Sequence, residues 1–165
     1  MLDPTAGLFT LAEVAITLAG FSGLVAAFRS QDHWEPTDKA RLLNILVLCF
    51  VVVLCAMLPT FTSTYFQEPK TPWRLSCLLY GLVQLAIIVR FLSAIARGVW
   101  NPASPWVSIP FAVIGLGIGL LATFAGFGIG PSATPSLLGL VLIWGLVAAG
   151  FQFVFSLQAV WGATR

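Results

Sequence analysis

Five long apolar runs, each entered through a proline, organise this chain. Leu8 to Phe28, Leu42 to Phe66, Leu75 to Val89, Val107 to Ile129 and Leu137 to Trp161 carry almost no charge. Most of them exceed the ~20 residues with which a helix crosses a ~30 Å hydrocarbon core. The third reaches full length only by including Arg90. Pro4, Pro36, Pro72, Pro105 and Pro135 stand just ahead of the runs, and proline suits a first helical turn because its missing N–H would be unpaired there anyway. Asp3, Thr71, Ser104 and Thr134 are candidate caps, and Glu35, Thr37 and Asp38 place oxygen acceptors and acidic charge where a helix N-terminus favours them. The pattern predicts helices over about 6–28, 40–66, 73–97, 106–128 and 136–161. Lipid offers no partner to exposed backbone groups, and no ten-residue alternation of barrel type is visible. The expected fold is an all-α membrane protein: a compact five-helix transmembrane bundle with short loops, residues 1–165 forming one polytopic domain.

Composition agrees with lipid as the solvent. The chain is 59% hydrophobic and only 8% charged, with a mean hydropathy of +0.98, against roughly a quarter charged residues in a soluble domain. Trp34, Trp73, Trp100, Trp106 and Trp161 fall at or near predicted helix ends, where an indole has its ring in the apolar phase and its N–H in water. Trp144 alone lies inside a span. Arg29, Lys39, Arg41, Arg90, Arg97 and Arg165 fall on one side of a five-span arrangement, against Lys70 and Arg74 on the other. The positive-inside bias then puts the N-terminus outside and the C-terminus in the cytoplasm, as for a bacterial inner (plasma) membrane protein. The first run starts from Asp3 instead of a basic stretch and contains Glu13, so it reads as a retained helix and not as a signal peptide. A net charge of +2 gives no reason to expect nucleic acid as a partner.

Small residues mark the faces on which these helices can pack, since close backbone approach replaces the hydrophobic drive that lipid removes. Ala15, Ala19, Gly23 and Ala27 recur at every fourth position of the first run. Ala112, Gly115, Gly119, Ala122, Gly126 and Gly130 form a seam in the fourth, and Gly145, Ala149, Gln152, Ser156 and Ala159 one in the fifth. Two uses are open: packing within one protomer, or association with another copy or another membrane protein. Pro59 predicts a kink in the second helix, with Thr60 and Thr62 available to bond freed carbonyls.

Polar residues at membrane depth are the candidate chemistry. Glu13 lies about 8 Å below Leu8, with Thr10, Thr17 and Gly20 on its face, and Arg74 is its expected partner. A carboxylate inside a span normally faces protein or a water-filled cavity. Arg90 is either a snorkelling side chain at a helix end or part of an inner polar cluster with Asn44, Gln152 and Ser156, with Gln84 between the two levels. These residues outline a candidate polar path from Glu13 to Arg90, although each glutamine has an ordinary use as an interhelical hydrogen bond. Cys49, Cys55 and Cys77 match no metal or haem spacing and read as apolar fillers; a pairing of Cys49 or Cys55 with Cys77 stays open. His33 has no second His or Cys near it, so no metal site is expected, and no cofactor. Paired aspartates, a Ser with a buried His base and a nucleotide loop are all missing from the sequence, which argues against an enzyme. Two functions remain. One is an oligomeric conduit, channel or transporter-like, for ions or protons built around Glu13. The other is a non-catalytic accessory or assembly subunit of a larger membrane complex.

Overall fold

The computed structural model describes residues 4–28, 36–66, 68–97 and 105–162. Over these the chain forms α1 (Pro4–Phe28), α2 (Pro36–Thr62), α3 (Thr71–Ala96), α4 (Pro105–Phe127) and α5 (Pro135–Gly162), with no strand among the described residues. Each helix is long and apolar enough to cross a membrane. Asp3, Arg29, His33, Trp34, Glu35, Trp100, Ser104 and Arg165 lie outside the described residues, as do the side chains of Thr37, Trp106, Trp161 and Ala159.

Proline sets the helix starts. Four helices begin on their proline and α3 begins one residue ahead of Pro72. At α5 the cap is a side-chain one, the Leu137 N–H donating to Thr134 Oγ1 at 3.2 Å. At α3 the expected Thr71 cap does not form. The flanking residue is Lys70, with no side-chain cap bond, and Thr71 is already helical with its hydroxyl donating to Glu68 Oε2 at 3.1 Å. Pro72 occupies the second helical position and has no N–H to donate to a cap oxygen.

Helix ends follow equally local chemistry. α2 stops at Thr62, short of the expected Phe66, where a cluster of hydroxyls offers carbonyls alternative donors. The Ser63 and Thr64 hydroxyls donate to Thr60 O and Phe61 O at 2.9 and 2.8 Å, and Thr62 Oγ1 donates to Leu58 O at 2.7 Å. Pro59, one turn earlier, removes the donor that the Cys55 carbonyl would otherwise receive. α4 closes in a Schellman motif: the Gly128 N–H donates to Ala125 O at 3.1 Å and the Ile129 N–H to Phe124 O at 2.9 Å. Gly128 has φ 76°, the left-handed value this closure needs and glycine supplies without strain.

The helices assemble around α2, which packs on α1, α5 and α3, while α3 packs most extensively on α4. Among the described residues α1 touches neither α3 nor α4, and α2 does not touch α4. The α3–α4 pair is antiparallel and glycine-mediated. A Cβ added at Gly126 would lie 2.6 Å from Leu78 Cβ, and one at Gly81 would collide with Thr123 and lie 2.9 Å from Gly119 O. At Gly119 the neighbours are Gln84 Cγ and Leu85, at 3.2 Å. Gly145 does the same for α5, where a Cβ would stand 3.0 Å from both Tyr80 Oη and Val52 Cγ2.

In α1 the buried stripe is Leu8, Ala12, Ala15 and Ser22, with Leu18 and Ala19 half-buried, whereas Gly23 and Ala27 face outward and nothing lies within 4 Å of a Cβ at Gly23. Four-residue steps overshoot a 3.6-residue turn by about 40° each. A strict every-fourth stripe therefore rotates off the interface within a few steps. Cys49, Cys55 and Cys77 are free thiols buried in the core formed with Val52, Tyr80 and Leu142. All three are expected to resist a membrane-impermeant maleimide until the protein is unfolded; mass-spectrometric labelling of the native protein checks this.

Candidate functional site

α3 and α4 each meet α5 at few positions and α2 does not reach α4, which leaves a gap between these four helices. A cavity of about 140 Å³ occupies it. Its walls come from the first turns of α2 and α4 and the second halves of α3 and α5, from Arg41 and Ser108 down to Leu48, Gln84, Gly115 and Trp144. Exposure falls along that direction: Arg41 and Ser108 are half-exposed, while Leu48, Gln84 and Gly115 are buried. The mouth therefore lies at the Arg41 end. Seven residues separate Ser108 from Gly115, about 10 Å of helix, and the floor comes close to the middle of a ~30 Å core. Beyond the floor the bundle is filled by Val52, Cys55, Cys77, Tyr80, Leu138 and Leu142.

Two kinds of surface line this cavity. The α4–α5 wall is aromatic. Phe111 stacks on Phe151 with centroids 4.6 Å apart and 12° between planes, meets Trp144 at 4.7 Å, and Phe151 meets Phe155 edge-on at 4.7 Å. Such pairs contribute about 0.5–1.5 kcal/mol each beyond their burial, and the two made by Phe111 join α4 to α5.

Polar side chains from α3 and α5 share the lining. Gln84 Oε1, Gln152 Oε1 and Trp144 Nε1 are buried and have no hydrogen-bond partner, and all three residues line the cavity. Each orphaned group costs about 1–3 kcal/mol in lost solvation. Gln84 is only 5% exposed. The fold holds it in place, because Gly115 and Gly119 bring α4 against its side chain: a Cβ at Gly115 would lie 3.0 Å from Gln84 Nε2 and 3.5 Å from Trp144 Nε1. The amide and the indole thus converge on one point above a glycine. At the mouth, Arg41 Nη1 lies 3.6 Å from Asp38 Oδ1, with the Asp38 side chain 6% and the Arg41 side chain 18% exposed. The pair is charge-balanced, and among the described residues no carboxylate lines the cavity itself.

The structure brings together Asn44, Gln84 and Gln152 from the expected polar path and separates the rest. Ser156 donates back to Gln152 O at 3.0 Å and does not line the cavity. Arg90 is exposed on α3. Glu13 is exposed on the outer face of α1, with Phe9 and Ile16 beside it. Thr10 and Thr17 share that face, their hydroxyls donating to Ala6 O at 3.2 Å and Glu13 O at 2.9 Å, as hydroxyls without a neighbouring helix do. Arg74 lies 3.8 Å from Glu68 and against Gly128, not against Glu13. Of the small-residue set, Ala15, Gly115, Gly119 and Gly145 are buried, Ala19 and Gly126 are half-buried, and Gly23 is exposed.

Three site residues escaped the sequence reading: Trp144, Arg41 and Phe111. Trp144 had left a signal, since an indole inside a span must find a partner for its N–H. Arg41 counted only toward orientation, and nothing in the one-dimensional pattern aligns Phe111 with Phe151.

Five helices, each long and apolar enough to span a membrane, define an integral, multi-pass membrane protein. No protein-family model, curated protein or solved structure matches this chain, so the chemistry of the site rests on its own geometry. Among the described residues no group of three His, Cys, Asp or Glu side chains stands where a metal ion would be held.

Proposed function

We propose that this protein is a small transporter-like conduit whose solute site is the half-depth cavity between α2, α3, α4 and α5. The observation that carries this reading is a cavity between four spanning helices whose lining includes Gln84, Trp144 and Gln152, each of which carries a buried polar atom without a hydrogen-bond partner. Polar groups left unpaired in a packed bundle lower its stability, and sites near the bilayer midplane are where transporters hold their solute. The mouth opens among Lys39, Arg41 and Arg97, the end that basic residues assign to the cytoplasm. A filled core beyond the floor means that passage requires a conformational change and not an open pore. On this reading the exposed Glu13 is not part of the solute site, and the protein has no catalytic role.

The test is sided labelling in reconstituted vesicles. The native thiols are buried, so Ala112→Cys, on the cavity wall and only half-buried, provides a single accessible reporter. Impermeant maleimide is expected to modify it from the Arg41 side only. Protection from both sides, with unfolded protein labelling fully, would remove the half-channel.

The position of Glu13 favours a second reading, that of an accessory subunit. A carboxyl group on the outer face of a spanning helix meets lipid unless another membrane protein covers it. A protomer that co-purifies with one other protein in detergent, and that releases it on Glu13→Ala, would favour the subunit. A homo-oligomer or a lone protomer with a labelled cavity would favour the conduit.

A further inference from the structure

What the cavity offers an occupant is mostly hydrocarbon. The carbonyl oxygens of Gln84 and Gln152 and the indole nitrogen of Trp144 are closed to water by the side chains packed on them. The open walls come from Leu48 on α2, Ile87 and Phe91 on α3, Phe111 and Ala112 on α4 and Phe151 on α5. Arg41 and Asn44, one turn apart near the start of α2, and Ser108, in the first turn of α4, add polar groups where the cavity opens. The lining is therefore amphipathic along its depth, with a polar rim above an apolar body. An inorganic ion or a strongly hydrated solute would give up water that such walls do not replace. A hydrocarbon group gains instead about 25 cal/mol for each Å² it removes from water.

Size limits the occupant further. An apolar cavity of about 150 Å³ holds one benzene molecule, so the 140 Å³ found here is room for a body of about six carbons. A whole lipid acyl chain exceeds it. Charge limits the head. Arg41 repels a cation and stands beside Asp38, so an anion must compete with that carboxylate, and among the described residues no carboxylate lines the cavity.

We infer that the cavity binds a small uncharged amphiphile, an aromatic or short aliphatic body with one polar head of hydroxyl type. The body lies against the stacked rings of Phe111 and Phe151, where an aromatic ring packs offset or edge-on. The head stays at the rim, within the level of Asn44 and Ser108. The inference rests on the half-channel reading and adds the class of its solute.

The experiment uses the full chain carrying Ala112→Cys in neutral-lipid vesicles, with impermeant maleimide added from the Arg41 side and labelling followed by mass spectrometry. Benzyl alcohol is the amphiphile and glycerol the polar control. Only the empty site reacts, so benzyl alcohol at about ten times its Kd is expected to slow labelling about tenfold, and the concentration dependence gives its affinity. Glycerol at the same concentration is expected to leave the rate unchanged. Arg97→Cys, exposed at the end of α3 and outside the cavity, is expected to label at an unchanged rate in either solute, which separates occupancy from an effect on the bilayer. Two further changes are made in the Ala112→Cys protein. Ala148→Leu, which fills the space from α5, is expected to abolish the protection, and Asn44→Leu is expected to weaken the affinity about three- to tenfold, the size of one lost hydrogen bond. Size-exclusion profiles of both are expected to remain native. Slowing by glycerol and not by benzyl alcohol, equal slowing at Arg97→Cys, or undiminished protection in whichever of the two variants folds would overturn the solute class, while labelling from the Arg41 side alone leaves the half-channel standing. Protection of Ala112→Cys from both sides with no solute added would overturn both.

Discussion

Gly126→Ala is expected to destabilise the folded bundle by about 1–3 kcal/mol, the usual size of overpacking, and to lower its thermal midpoint in detergent by several degrees. On an isolated helix the same change is favourable, since alanine exceeds glycine in helix propensity by about 1 kcal/mol. The sign reverses because the new methyl would stand 2.6 Å from Leu78 Cβ and 2.8 Å from the Leu78 backbone. Backbone cannot swing aside as a side-chain tip does, so α3 and α4 must separate along their whole seam. Gly117→Ala supplies the contrast: it lies in the same helix with nothing within 4 Å of its Cβ position, and it is expected to be neutral to stabilising, by up to about 1 kcal/mol. Equal midpoints for the two variants would mean that glycine contact does not hold α3 to α4.

Gly115→Ala is expected to separate function from folding in the same helix. Its Cβ would meet the ends of movable side chains, Gln84 Nε2 at 3.0 Å and Ile88 Cδ1 at 3.3 Å. A shift of a few tenths of an ångström relieves both contacts, so the thermal midpoint stays near the native value. The methyl nonetheless stands where the Gln84 amide and the Trp144 indole converge. The affinity for benzyl alcohol is expected to drop about tenfold or more, as when a group worth about 1.4 kcal/mol of binding is lost. Native affinity in a folded Gly115→Ala protein would place the site elsewhere.

How far the sequence could be read depended on the range of the interaction concerned. Helix number and starts were legible because they rest on apolar run length and on Pro4, Pro36, Pro72, Pro105 and Pro135, all local signals. The α3–α4 seam was half legible: the repeat through Gly119 and Gly126 is visible, but its counterpart Gly81 is a lone glycine in an apolar helix. The Ala15 to Ala27 stripe was a pattern of the sequence whose lower half the twist of the helix turned outward. For the candidate site, Asn44, Gln84 and Gln152 announced themselves as amides in hydrocarbon. Their distance from Glu13 did not, because which face of α1 packs on α2 depends on contacts between segments far apart in the chain. Hydropathy records depth and says nothing about azimuth.

The unequal seams also have a mechanical outcome. α3 and α4 are locked together by backbone proximity, whereas α4 meets α5 largely through sliding rings. The hairpin of α3 and α4 is thus the stiff lever of the molecule, and the ring contacts are its bearing. Tilting that lever enlarges or collapses the space above Gly115 without breaking a main-chain bond. Spin labels on Gly117→Cys and Val147→Cys are expected to show a broader distance distribution than a pair placed across α3 and α4; equal widths would mean that the bundle moves as one body.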